Sequence, residues 1–381
     1  PLVGPVLAAQ MGYLPGTLWI IIGVLVAGAV QDMLVLFFSM RRGGRSLGQM
    51  ATDEIGRIGG IVATIVVFVM LMIVLAVLAM VCVNALAASP WGVFSVGMTI
   101  PIAIGMGLWL RFVQPGKITQ VSFVGFGLLI AVIIGGRWVA ESPLGHYLHL
   151  SPKTLVWAMI IYGFLAAVLP VWVLLTPRDY LSTFMKVGTI TILALGIIIV
   201  RPLVEMSAVT EFAFNTAGPV FAGTLFPFLF ITIACGALSG MHAMVSSGTS
   251  PKMVEKETQV RMIGYGGMLM ESFVAIMALA AAVSLSPGIY FSMNTSTATM
   301  NKLAGPETVA AAPCKTTDDP EHHCEKLAEV AVANLGVTDA QGRKPTPEWD
   351  SWDDNGNPKT YTGAEALERL ASDVGEPNVV S

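Results

Sequence analysis

Over residues 1–290, apolar positions come in long uninterrupted blocks instead of alternating with polar ones. The blocks run Thr17–Met40, Gly60–Leu86, Trp91–Leu110, Val121–Gly135, Thr154–Leu175, Met185–Val200, Leu225–Ser247 and Ile263–Ser286. At about 1.5 Å of rise per helical residue, each crosses all or most of a hydrocarbon core roughly 30 Å thick. The pattern predicts an all-α polytopic membrane protein with about eight visible transmembrane helices, the fourth and sixth of them short.

From Ser292 the character changes: Pro, Asp, Glu, Lys and Thr replace the apolar runs. This predicts two regions, a transmembrane core over 1–290 and a polar loop over 291–381. The chain opens at Pro1 with no initiating Met and ends at Ser381 in what reads as mid-loop, so it is expected to be a fragment truncated at both ends.

Basic residues orient the core. If the first span runs inward, Arg41, Arg42, Arg45, Arg57, Arg111, Lys117, Arg178, Lys186, Lys252, Lys256 and Arg261 all fall on cytoplasmic loops, against Arg137, Lys153 and Arg201 outside. By the positive-inside rule this places 291–381 on the extracytoplasmic side. The composition, 54% hydrophobic and 12% charged, excludes a water-soluble globule, and the net charge of −4 adds little. The expected partner is the lipid bilayer, with no nucleic acid. Of the four cysteines, Cys82 and Cys235 lie in apolar runs. Cys314 and Cys324 lie in the polar tail, where an oxidising compartment predicts a local disulfide. His322 and His323 beside Cys324 lack regular ligand spacing, and no metal site is expected.

Gly4-Pro5-Val6-Leu7-Ala8-Ala9-Gln10-Met11-Gly12-Tyr13-Leu14-Pro15-Gly16-Thr17 is too rich in Pro and Gly for a helical pattern and predicts an irregular segment at the membrane. The run resembles the hallmark of the carbon-starvation family. So do Ala27-Gly28-Ala29-Val30-Gln31-Asp32, Arg41-Arg42-Gly43-Gly44-Arg45-Ser46-Leu47-Gly48, and the stretch from Phe226-Pro227-Phe228 through Ala234-Cys235-Gly236-Ala237-Leu238-Ser239-Gly240-Met241-His242 to Ser246-Ser247-Gly248-Thr249-Ser250-Pro251-Lys252. The resemblance implies a multi-pass secondary transporter of the bacterial inner membrane, acting in the carbon-starvation response. Peptides are the substrate usually assigned to the family, and pyruvate to a close relative that looks like a proton symporter. The resemblance also implies similarity to the amino acid–polyamine–organocation superfamily, with its LeuT-like core of two inverted repeats.

The residues point the same way unaided, because ionisable groups inside a bilayer are costly and mark pathways. Asp32 with Gln31 beside it, Glu271 and His242 lie on three different spans, within roughly 4–10 Å of the midplane and on the same side of it. Together they can form one proton-coupled site. The structural alternatives are a carboxylate paired near the inner interface and a histidine that only caps a helix. The seventh span is weakened by Pro227, Gly236, Gly240 and Gly248, with Thr232 and Ser239 interspersed. It is read equally as an unwound substrate or ion site and as ordinary small-residue packing. Arg178 and Asp179, in the turn Thr176–Tyr180, are expected to pair or to gate at the cytoplasmic surface. Met70, Met72 and Met80 read as lipid-facing or packing residues.

No His-Glu-x-x-His, Gly-x-Ser-x-Gly or Walker A pattern occurs, so the chain is not read as an enzyme and no cofactor beyond a coupling proton or sodium ion is expected. A nutrient sensor signalling through a partner is the alternative function. Substrate, whether peptide or small carboxylate, and oligomeric state are not legible.

Overall fold

The structure is a computed structural model, and it describes residues 4–87, 89–113, 117–170, 173–295, 297–305, 323–335, 341–353 and 355–374. The helices are α1 (Gly4–Met11), α2 (Tyr13–Arg41), α3 (Leu47–Ile55), α4 (Arg57–Ala87), α5 (Pro90–Val113), α6 (Ile118–Glu141), α7 (Pro152–Val168) and α8 (Leu175–Val200), followed by a broken stretch that includes α9 (Ala234–Ala237) and α10 (Gly240–Gly248). Then come α11 (Glu257–Val283), α12 (Pro287–Asn294), α13 (Thr297–Ala304) and α14 (His323–Ala333), the hairpin β1 (Glu348–Trp352) and β2 (Pro358–Thr362), and α15 (Ala364–Val374). Among the described residues, α2, α4, α5, α6, α8 and α11 contain the six stretches long and apolar enough to cross a membrane. The chain is an all-α polytopic membrane protein.

Residues 4–17 correct the sequence reading. They are helical on both sides of a single break at Gly12, whose φ of 98° suits glycine and whose hydrogen faces the Ala208 carbonyl, where a Cβ would come within 2.3 Å. Pro5 and Pro15 are tolerated because each lies in a first turn, Pro5 in the first described turn of α1 and Pro15 in that of α2, where proline's missing N–H costs little. Thr176–Tyr180 is likewise not a turn. It opens α8, with Pro177 again in the first turn. The fifth span ends at Val168, and the two spans expected to be short are helices of 24 and 26 residues, polar ends having hidden their length from a hydropathy reading. Lys186, expected on a loop, is therefore well inside α8.

The chain forms two compact units, residues 1–64 with 194–381, and residues 65–193. In the first, α1 lies against α11, and the second half of α2 lies against α10 and the start of α11. Small residues set these approaches: a Cβ on Gly28 would sit 2.2 Å from the Ala237 carbonyl oxygen, and one on Gly264 2.7 Å from Met33 Cα. Leu7, Met11, Ile20, Leu229, Leu279 and Phe291 are buried in one core, which Met300, Val332, Leu367 and Leu370 of the tail join. The tail thus contains regular structure. The amphipathic spacing of Ala366, Leu367 and Leu370 in α15 supports a buried face although the segment is polar overall. Around the hairpin turn, the Asp353 carboxylate accepts the N–H groups of Asn355 and Asn357, which hold it below its ordinary pKa.

The second unit is built on α5 packed along α6, with Ile102, Met106, Val121, Leu129 and Leu181 in its core. Tyr180 ties α8 to α6 through Ser122, 2.9 Å away, and its ring meets Phe184. Along α4, Phe68, Met70, Met72 and Met80 are exposed, as expected of a helix surrounded by hydrocarbon. Cys314 of the expected Cys314–Cys324 disulfide lies outside the described residues, and with it the pairing.

Candidate functional site

Between Leu225 and Gly248 the chain cannot stay helical, and the sequence shows why. Pro227 removes a donor, while Gly236 and Gly240 offer no side chain to hold a helix together. Helix geometry fails at Ile233 and again at Leu238–Ser239, whose extended backbone separates α9 from α10. Of the two readings of the seventh span, the unwound one describes its backbone, and small-residue packing operates as well: a Cβ on Gly236 would lie 2.9 Å from that of Ala275.

A break inside a membrane leaves backbone carbonyls without partners. Here each of three is taken by a side chain from another helix. Trp19 Nε1 donates to Phe230 O at 3.1 Å, Gln31 Nε2 donates to Ser239 O at 3.2 Å, and the Ser272 hydroxyl donates to Gly236 O. Gln10, fully buried, holds the approach to the break. Its Oε1 accepts from the N–H groups of Val220 and Phe221, and its Nε2 donates to Phe221 O at 2.8 Å. Ser239 caps α10 by accepting the His242 N–H at 3.4 Å.

The first turn of α10 then points His242 between two carboxylates from two other helices. Its Nδ1 is 2.9 Å from Asp32 Oδ2 on α2, and its Nε2 is 2.9 Å from Glu271 Oε2 on α11. Cys235 completes the chain, its thiol donating to the second Glu271 oxygen at 3.1 Å. Asp32 is only 3% exposed, and its Oδ1 is buried with no hydrogen-bond partner. His242 and Glu271 are about a quarter exposed, so the cluster is closed at the aspartate and open at the glutamate.

Asp32, His242 and Glu271, read from the sequence as one site, are therefore in contact, with Gln31, Ser239 and Gly236 serving the break beside them. Thr232 turns away, donating to its own helix at Phe228 O, and Gly240 begins α10. Arg178 does not pair with Asp179: it donates to the Tyr162 hydroxyl and lies over that ring. Arg41, Arg42 and Arg45 pair with Glu257, Glu54 and Asp53 at exposed positions. Sequence reasoning missed Cys235, seven residues before His242, and the donors Trp19, Ser272 and Gln10. A lone polar group in an apolar run was the available signal, but it does not say which carbonyl needs it.

The chemistry follows from counting protons. Each imidazole–carboxylate contact at 2.9 Å needs one proton between its heavy atoms, and two protons leave the three groups with one net negative charge. A third proton, carried on a free carboxylate oxygen such as Asp32 Oδ1, makes the cluster neutral. Both ring nitrogens are engaged, so no imidazole lone pair is left for a metal, and no metal-holding group of His, Cys, Asp and Glu is found among the described residues.

Residues 1–344 match the family model described as Carbon starvation protein CstA. The peptide transporter CstA of Escherichia coli strain K12 is 57% identical over the whole of this chain and 49% of its own length. The peptide transporter CstA of Mycobacterium tuberculosis strain H37Rv is 58% identical over 77% of this chain and 39% of its own. The pyruvate/proton symporter BtsT of Escherichia coli is 56% identical over 77% of this chain and 41% of its own. The chain thus spans about half the length, or less, of these curated relatives. No solved structure matches it.

Proposed function

Because the chain belongs to the carbon starvation protein CstA family, we propose that it forms part of a proton-coupled secondary transporter of the bacterial inner membrane, taking up peptides or small carboxylates such as pyruvate. The observation that carries this reading is the His242 imidazole held between Asp32 and Glu271 at a helix break. Such a cluster takes up one proton by passing from net charge −1 to neutral, which lowers the cost of moving it through a low-dielectric path. The relatives' names, peptide transporter and pyruvate/proton symporter, agree with it.

Sodium coupling has less to bind, since the carbonyls of Phe230, Gly236 and Ser239 already accept protein hydrogen bonds. The broken helix also supports a LeuT-like core, where discontinuous helices frame the site. The distribution of basic residues supports a position outside the cytoplasm for the tail from residue 291. The sensor alternative draws nothing from the named relatives.

The test is uptake of labelled pyruvate and of labelled di- and tripeptides by cells expressing the whole protein, with and without a protonophore. Protonophore-sensitive uptake is expected for one class, and Asp32→Asn and Glu271→Gln are expected to abolish that sensitivity. Wild-type proton coupling in both variants refutes the assignment.

A further inference from the structure

The second unit contains a cavity of about 320 Å³ lined by α5, α6 and α8. Lys186 lines it, roughly 16 Å along α8 from Leu175 and so near mid-span. Leu129, which lines the same cavity, is at the middle of α6. A lysine at this depth is costly unless it meets an anion or reaches the interface. Asp179 lines the same cavity from the same face of α8. Among the described residues neither side chain makes a hydrogen bond or an ion pair, whereas their neighbour Arg178 is engaged by Tyr162.

Two hydroxyls in the lining are oriented. Thr99 donates to Val96 O at 2.6 Å and Ser182 donates to Asp179 O at 2.9 Å, so the protons of both lining hydroxyls are committed and their oxygens are left to accept. One end therefore offers the Lys186 ammonium, and the other offers the Asp179 carboxylate, beside an Arg178 guanidinium that also lines the cavity and is held by the Tyr162 hydroxyl and ring. Asp179 and Lys186 are about 10 Å apart along the helix, and side chains lean toward the helix N-terminus, which shortens the gap between their heads. At about 3.5 Å per extended residue, a chain of two or three residues spans such a distance, and a single amino acid or a keto acid does not.

We propose that this cavity is a binding site for a small zwitterion, a di- or tripeptide with free termini, its carboxylate on Lys186 and its ammonium on Asp179. The site rests on the transporter reading for its purpose, but not on the proton cluster for its chemistry.

Calorimetric titration of the purified whole protein in lipid nanodiscs tests it, with alanyl-alanine, alanyl-alanine amide, N-acetyl-alanyl-alanine and pyruvate as probes. Capping either terminus is expected to weaken binding at least about tenfold, the scale of one lost ion pair. Pyruvate is expected to bind more weakly than alanyl-alanine. Lys186→Gln should erase the difference between the dipeptide and its amide, Asp179→Asn should erase the difference between the dipeptide and its acetylated form, and Lys186→Arg should keep both. If Lys186→Gln does not fold, the Asp179→Asn titration decides.

Equal binding of capped and free dipeptides, tighter binding of pyruvate, or no binding overturns the site. Protonophore-sensitive uptake with unchanged KM in Lys186→Gln also overturns it while leaving proton-coupled transport standing. Terminus-dependent binding in a protein whose uptake ignores the protonophore keeps the site and removes the coupling.

Discussion

At the scale of single residues, the imidazole of His242 connects two acids that lie on separate helices and far from one another in the chain. Replacing Asp32 by Asn keeps shape but removes the charge, so on the proposed function the coupling free energy between proton and substrate is expected to be lost. Such couplings are worth about 5–150-fold in affinity, which sets the expected fall in protonophore-sensitive uptake. The donors that serve the break follow a different rule. Ser272→Ala leaves the buried Gly236 carbonyl unpaired, and Gln31→Leu does the same to that of Ser239. Each is expected to cost about 1–3 kcal/mol, read as a lower melting temperature of the purified protein. Unchanged melting in both variants would mean that other groups satisfy these carbonyls. That polar residues sit at Gln31 and Ser272 was plain in the sequence, but not that their partners are backbone atoms exposed by a break elsewhere.

At the scale of elements, the glycines of the first unit divide by what faces them. Gly28→Ala drives a Cβ to 2.2 Å from the Ala237 carbonyl, against backbone that cannot rotate away. Overpacking of this kind costs about 1–3 kcal/mol and displaces α2 from the break, so both stability and uptake should fall. Gly127→Ala in α6 meets nothing within 4 Å. It should leave stability unchanged or raise it by up to about 1 kcal/mol through helix propensity, read as an unchanged or higher melting temperature. A thermal scan of the two variants side by side separates close approach from mere helix propensity. Spans were legible because hydropathy is summed over many residues. Their ends were not, because Pro177 and Arg178 look like a loop until the first turn of a helix is seen to accommodate them.

At the scale of the whole molecule, the balance of basic residues predicts opposite sides for α3 and the tail. A cysteine placed at Asn355, an exposed position of the hairpin, is expected to react with an impermeant maleimide applied from outside the inner membrane. A cysteine at Ile55, exposed at the end of α3, is expected to react only after the membrane is opened. The reverse pattern would invert the topology. The tail's fold was hidden for a compositional reason: short amphipathic elements such as α15 bury only a few apolar residues each, below what a reading tuned to membrane spans registers.

The sequence by itself determined the membrane class and the approximate place of six of the eight expected spans, and it set Asp32, His242 and Glu271 at similar expected depth, because these depend on hydropathy and on counting along a helix. Only the tertiary structure decided that His242 touches both acids, across 210 residues in the case of Asp32. Contact depends on which helix faces pack, and the chain order does not encode that locally. It also decided that Lys186 lies well inside a helix, since that depends on α8 starting at Leu175, a boundary set by proline geometry and packing instead of by hydropathy.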